Sequence, residues 1–283
     1  MTLTSLRLEE LYKEACELEL QAFKPGNVSV YADGHDMTVN DFRISALVSA
    51  PPLCNPDFSL GEKIFYAVKA TREAVGCNTN LGIILLAAPM LQAIQNNTSL
   101  QFREALRQVL DATTVSDADW TFRAISLASP GGLGESAEQD VNNCATITLK
   151  AAMELASGKD RIAYQYLTDY EDIFDFAIPT YYNAMNLWHS KSWSAVMVYT
   201  TMLSQIPDSH IERKYGDQYT NMVRVAMAKL NEELAKPESN ALMPLLYQLD
   251  QELKAKRINP GTTADMTVAT LLAVLLQEEQ ALL

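Results

Sequence analysis

Apolar residues recur along the chain at the three- and four-residue spacing of a single buried helical face, and alternating strand-like patterns are almost absent. The clearest example near the N-terminus is the set Leu8, Leu11, Tyr12, Ala15, Leu18 and Ala22. Side chains at positions i, i+3, i+4 and i+7 lie on one side of an α-helix. The pattern therefore predicts an all-α fold built from amphipathic helices.

Two segments, residues 83–94 and 266–276, are apolar on all sides. A helix of this kind is typical of the interior of a bundle, where amphipathic neighbours shield it from water. The chain shows no long Ser/Gly linker, no block of like charges and no repeat at a fixed period. We therefore expect residues 1–283 to form a single all-helical domain with these two helices at its centre.

Helix starts are predicted where a Ser or Thr is followed three residues later by an acidic residue or Gln, the pattern of a capping box. The pattern occurs at Thr38 with Asp41, Ser59 with Glu62, Thr98 with Gln101, Ser116 with Asp119, and Thr262 with Asp265. Proline and glycine predict breaks at residues 51–52, 76–82, 129–134, 207 and 260–261.

Composition narrows the functional classes. The 283 residues carry a net charge of −13, which disfavours a nucleic-acid-binding protein because such proteins neutralise phosphates with many Lys and Arg. No apolar run reaches the ~18 residues of a membrane span, and no signal-peptide core is present, so we expect a cytoplasmic protein that does not contact membranes. Four scattered cysteines without a C-x-x-C pair favour neither zinc nor disulfides. The oligomeric state stays open, a homo-oligomer included.

Five polar stretches interrupt the helices. They are KPGNVSVYADGHDM from Lys24, VGCNTNLG from Val75, ASPGGLGES from Ala128, PDSHIERKYG from Pro207 and NPGTTADM from Asn259. Glycine and proline explain the turns, but they do not explain why the first stretch also holds Lys24, His35 and Asp36. Because all five stretches lie at helix boundaries, we expect them to converge on one cleft.

Four motifs in these stretches, taken together, resemble a known family. They are K-P-G-N, N-T-x-x-G, P-D-S-x-I-x-R-K-x-G and P-G-x-x-A-D-M, and their order resembles that in the triphosphoribosyl-dephospho-coenzyme-A synthase family. The resemblance extends from about Leu18 to the C-terminus. It implies an all-helical transferase that joins the ribose of ATP to a ribose hydroxyl of 3′-dephospho-coenzyme A, releases adenine and retains the triphosphate.

The resemblance also implies site residues. Breaking the ribose C–N bond requires an acid for the departing base and a carboxylate for the developing cation, while the triphosphate requires cations and amide donors. The catalytic candidates are His35, Asp36 and Asp265, and the candidate Mg²⁺ ligands are Asp36, Asp208 and Asp265. The candidates for binding substrate or phosphate are Lys24, Asn27, Asn78, Thr79, Asn80, Gly131, Gly132, Arg213 and Lys214.

Simpler structural roles stand beside these functional ones. His35 and Asp36 can close a turn before the helix that begins near Thr38. Asp208 and Asp265 can cap helix starts. Arg213 and Lys214 can complement a helix dipole, and the glycines near residue 131 can serve only as a helix entry.

One motif departs from the pattern of the lyase-associated members. Asn80 and Leu81 stand where those members have His and Lys, and the spelling NTNLG looks more like a branch found in methanogens and methylotrophs. That branch implies a second hypothesis, the same transfer to a pterin or furan precursor in tetrahydromethanopterin or methanofuran biosynthesis. A third hypothesis is a nucleotide-binding partner protein without catalysis.

Overall fold

The described part of the computed structural model consists of residues 3–96, 100–129, 141, 143–236 and 238–282. Within these ranges the chain is helical, and the β-type pairing is limited to two isolated bridges, Ser29 with Ala32 and Gly34 with Met37. The predicted all-α class is confirmed. None of the helices in these ranges combines the length and the apolar character that a membrane span requires.

Fourteen α-helices follow one another in the described ranges. They are α1 (Ser5–Gln21), α2 (Val39–Leu53), α3 (Leu60–Val75), α4 (Leu81–Asn96), α5 (Phe102–Asp111), α6 (Val115–Ala128), α7 (Leu149–Ala156), α8 (Arg161–Leu167), α9 (Ile178–Trp188), α10 (Lys191–Gln205), α11 (Ser209–Tyr215), α12 (Thr220–Leu234), α13 (Leu242–Ala255) and α14 (Gly261–Gln280). A π-helical turn, Asp172–Ala177, leads into α9, and a 3₁₀ turn, Gly216–Tyr219, joins α11 to α12.

Helices α4 and α14 form the centre of the molecule, as their all-round apolar pattern predicts. Every residue from Leu81 to Leu91 in α4 and from Met266 to Leu276 in α14 is buried. Helix α14 packs against α1, α4 and α10. The N-terminal ends of α4 and α14 are thereby held in the interior, and they carry two of the sequence motifs.

Pro89 interrupts the hydrogen bonding of α4 in its middle. Because proline has no N–H, the carbonyl of Leu85, four residues earlier, has no donor within the helix. The hydroxyl of Tyr166 donates to this carbonyl at 2.6 Å, and the hydroxyl of Tyr170 donates to the carbonyl of Leu86 at 3.0 Å. Both tyrosines are fully buried. The phenol of Tyr166 therefore satisfies the carbonyl that Pro89 leaves without a donor, and both phenols fasten the segment around the end of α8 to α4.

The helix boundaries agree with most of the sequence signals. Capping boxes form at Thr38 and Ser59 as predicted. The box predicted at Ser116 is wrong by two residues, since Thr114 caps α6 and Ser116 lies within the helix. The box predicted at Thr98 falls outside the described residues.

The break predicted at Pro51 and Pro52 is also wrong, because α2 continues through both prolines to Leu53. The two prolines lie in the last turn of the helix. Their missing N–H groups remove only the hydrogen bonds to the carbonyls of the preceding turn. That turn lies at the surface, where Leu47 is 60% exposed. The cost of two prolines is therefore smaller here than in the middle of a buried helix.

Lys63 of α3 places an amine inside the core. Its residue is 2% exposed, and Nζ donates to Oε1 of Gln95 at 2.5 Å. Nε2 of Gln95 in turn donates to the carbonyl of Cys54 at 2.8 Å. Within the described residues Lys63 pairs with no carboxylate. Burial lowers the pKa of Lys63 to about 8, and the nearby Cys54 thiol opposes this shift.

We expect the buried amine to make stability depend on pH in the alkaline range. The unfolded chain holds the pKa of this lysine near 10.5, so between about 8 and 10.5 the unfolded state binds more protons and the free energy of unfolding rises with pH. The difference corresponds to about 3 kcal/mol. Urea unfolding at pH about 7, 9 and 10 measures it, with Lys63→Met, which has no titratable group there, as the reference. The same pH dependence in both proteins would contradict the expected shift.

Candidate active site

The first polar stretch is anchored to the end of α13 and the start of α14. Nδ2 of Asn27 donates to Oδ1 of Asn259 at 2.8 Å, and the N–H of Gly26 donates to Oδ1 of Asp250 at 3.0 Å. Gly26 has φ +84°, and a Cβ at this position would lie 3.0 Å from the side chain of Leu253. Glycine is therefore required there by its conformation and by the close contact with α13.

Lys24 lies beneath this loop with its whole side chain buried. Nζ pairs with the carboxylate of Glu19 and donates to Oδ1 of Asn27 at 3.1 Å and to the carbonyl of Val28 at 2.6 Å. These three acceptors match the three N–H bonds of an ammonium. Burial lowers the pKa of Lys24 and raises the pKa of Glu19, while the attraction between the two groups opposes both shifts. The structure thus places this predicted phosphate ligand in the support of the loop.

Asp208 joins the starts of α11 and α14. Oδ1 accepts the N–H groups of His210 and Ile211 at 2.9 and 3.0 Å, which makes Asp208 the N-cap of α11. Oδ2 accepts the N–H and the hydroxyl of Thr263, both at 2.8 Å. A carboxylate offers about four acceptor positions, and these four bonds use them. The capping role is confirmed, and the carboxylate predicted to bind metal is occupied by two helices.

The capping box predicted at Thr262 and Asp265 does not form. Helix α14 begins at Gly261, before the predicted start, and the hydroxyl of Thr262 bonds to Oγ of Ser209 at 3.0 Å and accepts the N–H of His210 at 3.2 Å. These contacts with α11 replace the local cap. The carboxyl of Asp265 is left without a hydrogen-bond partner among the described residues.

The Asp265 carboxyl packs against the first turn of α4. A Cβ on Gly82 would overlap with Oδ2 of Asp265, so the glycine of the N-T-x-x-G motif makes room for the carboxyl. Part of the Asp265 residue stays accessible to solvent. Burial raises its pKa well above the usual value, and the charges of Glu19, Asp208 and Asp160 raise it further, whereas Arg213 opposes them. This environment favours the protonated form of the carboxyl.

The other residues of N-T-N-L-G shape the start of α4. Oδ1 of Asn78 accepts the N–H of the first helical residue at 3.2 Å. Thr79 Oγ1 lies 2.5 Å from Oγ of Ser45, and Nδ2 of Asn80 donates to Oγ of Ser49 at 3.3 Å. Both Thr79 and Asn80 are buried. These three predicted substrate ligands therefore bond to α4 and α2 in this structure.

Arg213 and Lys214 lie in the last turn of α11. Nη1 of Arg213 donates to Oδ2 of Asp160 at 2.8 Å, while its buried Nε has no partner among the described residues. Lys214 is exposed, with Nζ 5.1 Å from the ring centroid of Tyr215. The guanidinium of Arg213 thus retains an unused N–H, and its charge opposes the rise in the pKa of Asp265.

His35 and Asp36 form a two-residue turn with left-handed backbone, φ 56° and 61°, which closes the pairing of Gly34 with Met37. Nε2 of the partly buried His35 lies 2.8 Å from the carbonyl of Gly26 and donates to it. Asp36 is exposed. The predicted turn is confirmed, and no hydrogen bond links the two neighbours that the sequence suggested as an acid–base pair.

His210 belongs to the same region, although it is not among the site residues predicted from the sequence. Its ring lies against α14, where a Cβ on Gly261 would be 2.7 Å from Nδ1. Burial lowers the pKa of His210, Asp208 opposes this, and Arg213, Lys214 and His35 add to the lowering.

The two histidines share their surroundings. Burial also lowers the pKa of His35; the hydrogen bond to Gly26 opposes it, and the charges of Lys254 and Lys214 strengthen the lowering. The basic side of the site is defined by His35, His210, Arg213, Lys214 and Lys254, of which Arg213 pairs with Asp160 and Lys254 with Asp250.

Sequence reasoning missed three groups of this site, and two of them left a signal. Glu19 occupies a buried position on the otherwise apolar face of α1, where an acidic side chain needs a partner. His210 lies inside the P-D-S-x-I-x-R-K-x-G motif, between Asp208 and Arg213. Asp160 caps α8 and looks like an ordinary N-cap in the sequence.

Four of the five polar stretches therefore meet at the start of α14, as expected. In the remaining stretch, which starts at Ala128, Gly131 and Gly132 lie outside the described residues. Within the described ranges no group of three or more His, Cys, Asp and Glu side chains is arranged to hold a metal ion. The site instead has an acidic side around Asp265 and a basic side around His210.

Comparisons with known proteins identify the family and the fold of the chain. The sequence model of the CitG family, ATP:dephospho-CoA triphosphoribosyl transferase, matches residues 5–282. A crystal structure from Archaeoglobus fulgidus, assigned as a triphosphoribosyl-dephospho-CoA synthase, has a TM-score of 0.64 and 21% identity, and the match covers 82% of this chain and 97% of that one. At this identity the likeness shows the fold. A search of curated proteins gives no match.

Asp208→Asn is expected to destabilise the protein. The amide of Asn has a single acceptor oxygen, and its NH₂ group would point at N–H or O–H groups that need an acceptor, those of His210 and Ile211 or of Thr263. We expect a free energy of unfolding lower by roughly 2–4 kcal/mol. Urea unfolding measures this change, and Asp57→Asn, an exposed aspartate without a side-chain hydrogen bond, is the control. An equally small change in both variants would show that Asp208 does not hold the two helices together.

Proposed function

The chain belongs to the ATP:dephospho-CoA triphosphoribosyl transferase family, because the family model spans residues 5–282, and we propose that the start of α14 is its active site. The enzyme transfers the triphosphoribosyl group of ATP to dephospho-CoA and releases adenine. The observation that carries the assignment of the site is the Asp265 carboxyl. It lies where four motifs of the chain meet, and it has no hydrogen-bond partner in the described part.

The reaction defines what Asp265 has to do. The bond between C1′ of the ribose and N9 of adenine breaks, adenine leaves with the electron pair and needs a proton, and the hydroxyl oxygen of the acceptor bonds to C1′ and loses a proton. In the proposal, protonated Asp265 gives its proton to the departing base and then, as a carboxylate, stabilises the oxocarbenium-like charge. It finally takes the proton of the acceptor hydroxyl. Asp265 ends in the protonation state in which it began.

The surrounding charges suit this cycle. Burial raises the pKa of Asp265, and the charges of Glu19, Asp208 and Asp160 raise it further against the opposing charge of Arg213, which favours the protonated form that the departing base requires. Lys24 keeps Glu19 in position from below the loop, and its three acceptors leave no N–H of the ammonium for substrate. We therefore assign Lys24 to positioning, and His35 to the basic side rather than to an acid–base pair with Asp36.

The triphosphate is proposed to bind on the basic side. Arg213 has a buried, unpartnered Nε, the charges of Arg213 and Lys214 act on His210, and the charges of Lys254 and Lys214 act on His35. Each of these groups gains from a polyanion, since neighbouring positive charges currently lower the pKa of both imidazoles. Bound phosphate would offset that repulsion.

Mg²⁺ remains part of the proposal as an ion carried by ATP. Of the three ligands inferred from the sequence, Asp208 has its oxygens bonded to two helices and Asp265 holds the proton of the proposed reaction, which leaves the exposed carboxylate of Asp36. Magnesium commonly keeps several waters and binds substrate phosphates together with one or two carboxylates, so the phosphates of ATP and water would supply most of its ligands. The ion would neutralise phosphate charge in a protein with net charge −13.

A second acceptor is favoured by one observation. At the positions where lyase-associated members carry His and Lys, Asn80 bonds inward to Ser49, and Leu81 is buried. This end of α4 therefore offers fewer polar groups to the acceptor than the usual motif. A pterin or furan coenzyme precursor, as in the methanogen and methylotroph branch, is the alternative acceptor, and adenine release measured with each acceptor distinguishes the two.

Asp265→Asn is expected to reduce the rate of adenine release about 10²- to 10⁴-fold, the usual contribution of a general acid or base. Binding of Mg·ATP should persist because the basic side is unchanged. The rate is measured by chromatography of adenine, and binding by calorimetry. Wild-type rates in Asp265→Asn would refute the assignment.

Gly82→Ala tests the position of the same carboxyl without removing it. The added Cβ occupies the place of Oδ2 of Asp265, so adenine release should fall while Asp265 is still present. Gly158→Ala is the matched control, because a Cβ there meets no atom within 4 Å. Equal activity of the two alanine variants would contradict the packing of Asp265 on α4.

Arg213→Ala is expected to weaken Mg·ATP binding roughly tenfold or more, since a hydrogen bond to a charged group contributes about 1.5–3 kcal/mol. The control is Arg72→Ala, which removes an exposed arginine from the last turn of α3. A helix-end arginine of that kind affects stability by only ~0.3–1 kcal/mol. Calorimetric titration compares the variants, and an unchanged affinity in Arg213→Ala would exclude it from the phosphate site.

A further inference from the structure

An exposed aromatic surface, formed by Tyr31 and Tyr247, lies over the buried ring of Phe23. The rings of Tyr31 and Phe23 are stacked, with centroids 4.9 Å apart and planes 6° apart. Tyr247 meets Phe23 edge-on, with centroids 4.7 Å apart and planes at 76°. Phe23 is 2% exposed, whereas Tyr31 and Tyr247 are 44% and 43% exposed. One face of Tyr31 is covered, and the other is accessible.

The turn that carries Tyr31 is held in place by its backbone. Ser29 and Ala32 exchange N–H to carbonyl bonds at 3.1 and 3.0 Å, and the N–H of Val30 donates to the carbonyl of Leu20 at 2.9 Å. The loop is thus fastened to the end of α1 on one side of Tyr31. A tyrosine on a fixed backbone loses little conformational freedom when a flat ligand stacks on it.

This aromatic surface continues into the basic side of the active site. Nζ of Lys254 pairs with the carboxylate of Asp250 at 2.9 Å and donates to the carbonyl of Ala32, next to Tyr31, at 3.3 Å. A Cβ on Gly34 would lie 2.7 Å from Cε of the same lysine. Tyr247 and Lys254 are seven residues apart, so they lie on one face of α13 and about 10 Å from each other along its axis.

We propose that Tyr31 and Tyr247 form the binding site for the adenine base of a nucleotide substrate. This inference rests on the proposed function, which places the phosphates on the basic side. A nucleotide joins a flat, weakly polar base to a chain of phosphates. On the protein, the flat aromatic surface that would meet the base is followed by Lys254 and His35, which would face the phosphates. Purines stack on aromatic side chains through their π-faces, and the outer face of Tyr31 extends the existing stack on Phe23.

Two substrates of the reaction carry adenine, namely ATP and dephospho-CoA. The stacking chemistry is the same for both, and separate binding measurements identify which one uses the site. A second copy of this chain or another protein is the competing occupant of an exposed aromatic surface. The continuity with a cluster of cations favours the nucleotide.

The test compares Tyr31→Ala and Tyr247→Ala with Tyr31→Phe, which keeps an aromatic ring, and Tyr31→Leu, which still covers Phe23. The matched control is Tyr182→Ala on α9: Tyr182 is 40% exposed, meets the buried Tyr181 edge-on, and lies near Glu278. Glu278 is about 20 Å along α14 from Asp265. Calorimetry measures the affinity for Mg·ATP, for dephospho-CoA and for inorganic triphosphate, and circular dichroism checks folding.

We expect Tyr31→Ala and Tyr31→Leu to weaken binding of one nucleotide about tenfold to a hundredfold, the range for loss of one base–aromatic stack. Tyr31→Phe and Tyr182→Ala should bind as the wild type does. Inorganic triphosphate, which has no base, should bind all variants equally. The nucleotide whose affinity falls is the one that occupies the site.

Two results would overturn the inference. One is unchanged affinity for both nucleotides in the folded Tyr31→Leu variant. If that variant also loses a concentration-dependent dimer of the wild type, the surface binds a second copy of the chain and not a nucleotide. The other is an equal loss of affinity for inorganic triphosphate, which would show a distorted basic side. Failure of the proposed function is distinct, because in that case inorganic triphosphate does not bind the wild-type protein or binds Arg213→Ala equally well.

Discussion

The four bonds to the Asp208 carboxylate are the interaction on which the site depends. They join the N-terminus of α11 to that of α14, although Asp208 and Thr263 are 55 residues apart in the chain. Helix α11 carries His210 and Arg213, and α14 carries Asp265. The distance between the basic and acidic sides is therefore set by one buried carboxylate, which accepts charge-assisted hydrogen bonds from both helices. A polar joint of this kind fixes orientation as well as distance, because each oxygen has preferred directions for its donors.

Close backbone approaches complete the arrangement and explain the glycines of the motifs. Gly82 admits the carboxyl of Asp265, Gly261 admits the ring of His210, and Gly26 allows the first loop to reach α13. At each position a Cβ would lie 3.0 Å or less from another residue of the site or of its support. The motifs thus combine polar side chains with glycines because the same contacts that assemble the site leave no room for a methyl group.

The electrostatic environment differs between the two sides of the site. Burial raises the pKa of Asp265 and lowers the pKa of His210, because it disfavours the charged form of an acid and of a base alike. Neighbouring carboxylates raise the pKa of Asp265 further, whereas for His210 the charge of Asp208 opposes the lowering and neighbouring cations add to it. The free site therefore favours a protonated acid next to neutral imidazoles. A bound polyanion would change the balance on the basic side first, since its charge favours protonated histidine.

The sequence by itself determined the helical class, the two central helices, the motifs and the family they indicate. Periodicity and capping are properties of neighbouring residues, so α4 and α14 are readable without any tertiary contact. The same local rules fail where distant groups compete for a bond. Thr262 bonds to Ser209 and not to its own helix, which leaves Asp265 without a partner. The ammonium of Lys24 is bound by Glu19 and by the loop above it. Only the tertiary structure decided these partners, because a hydrogen bond forms between the groups that packing brings together, however far apart they lie in the chain.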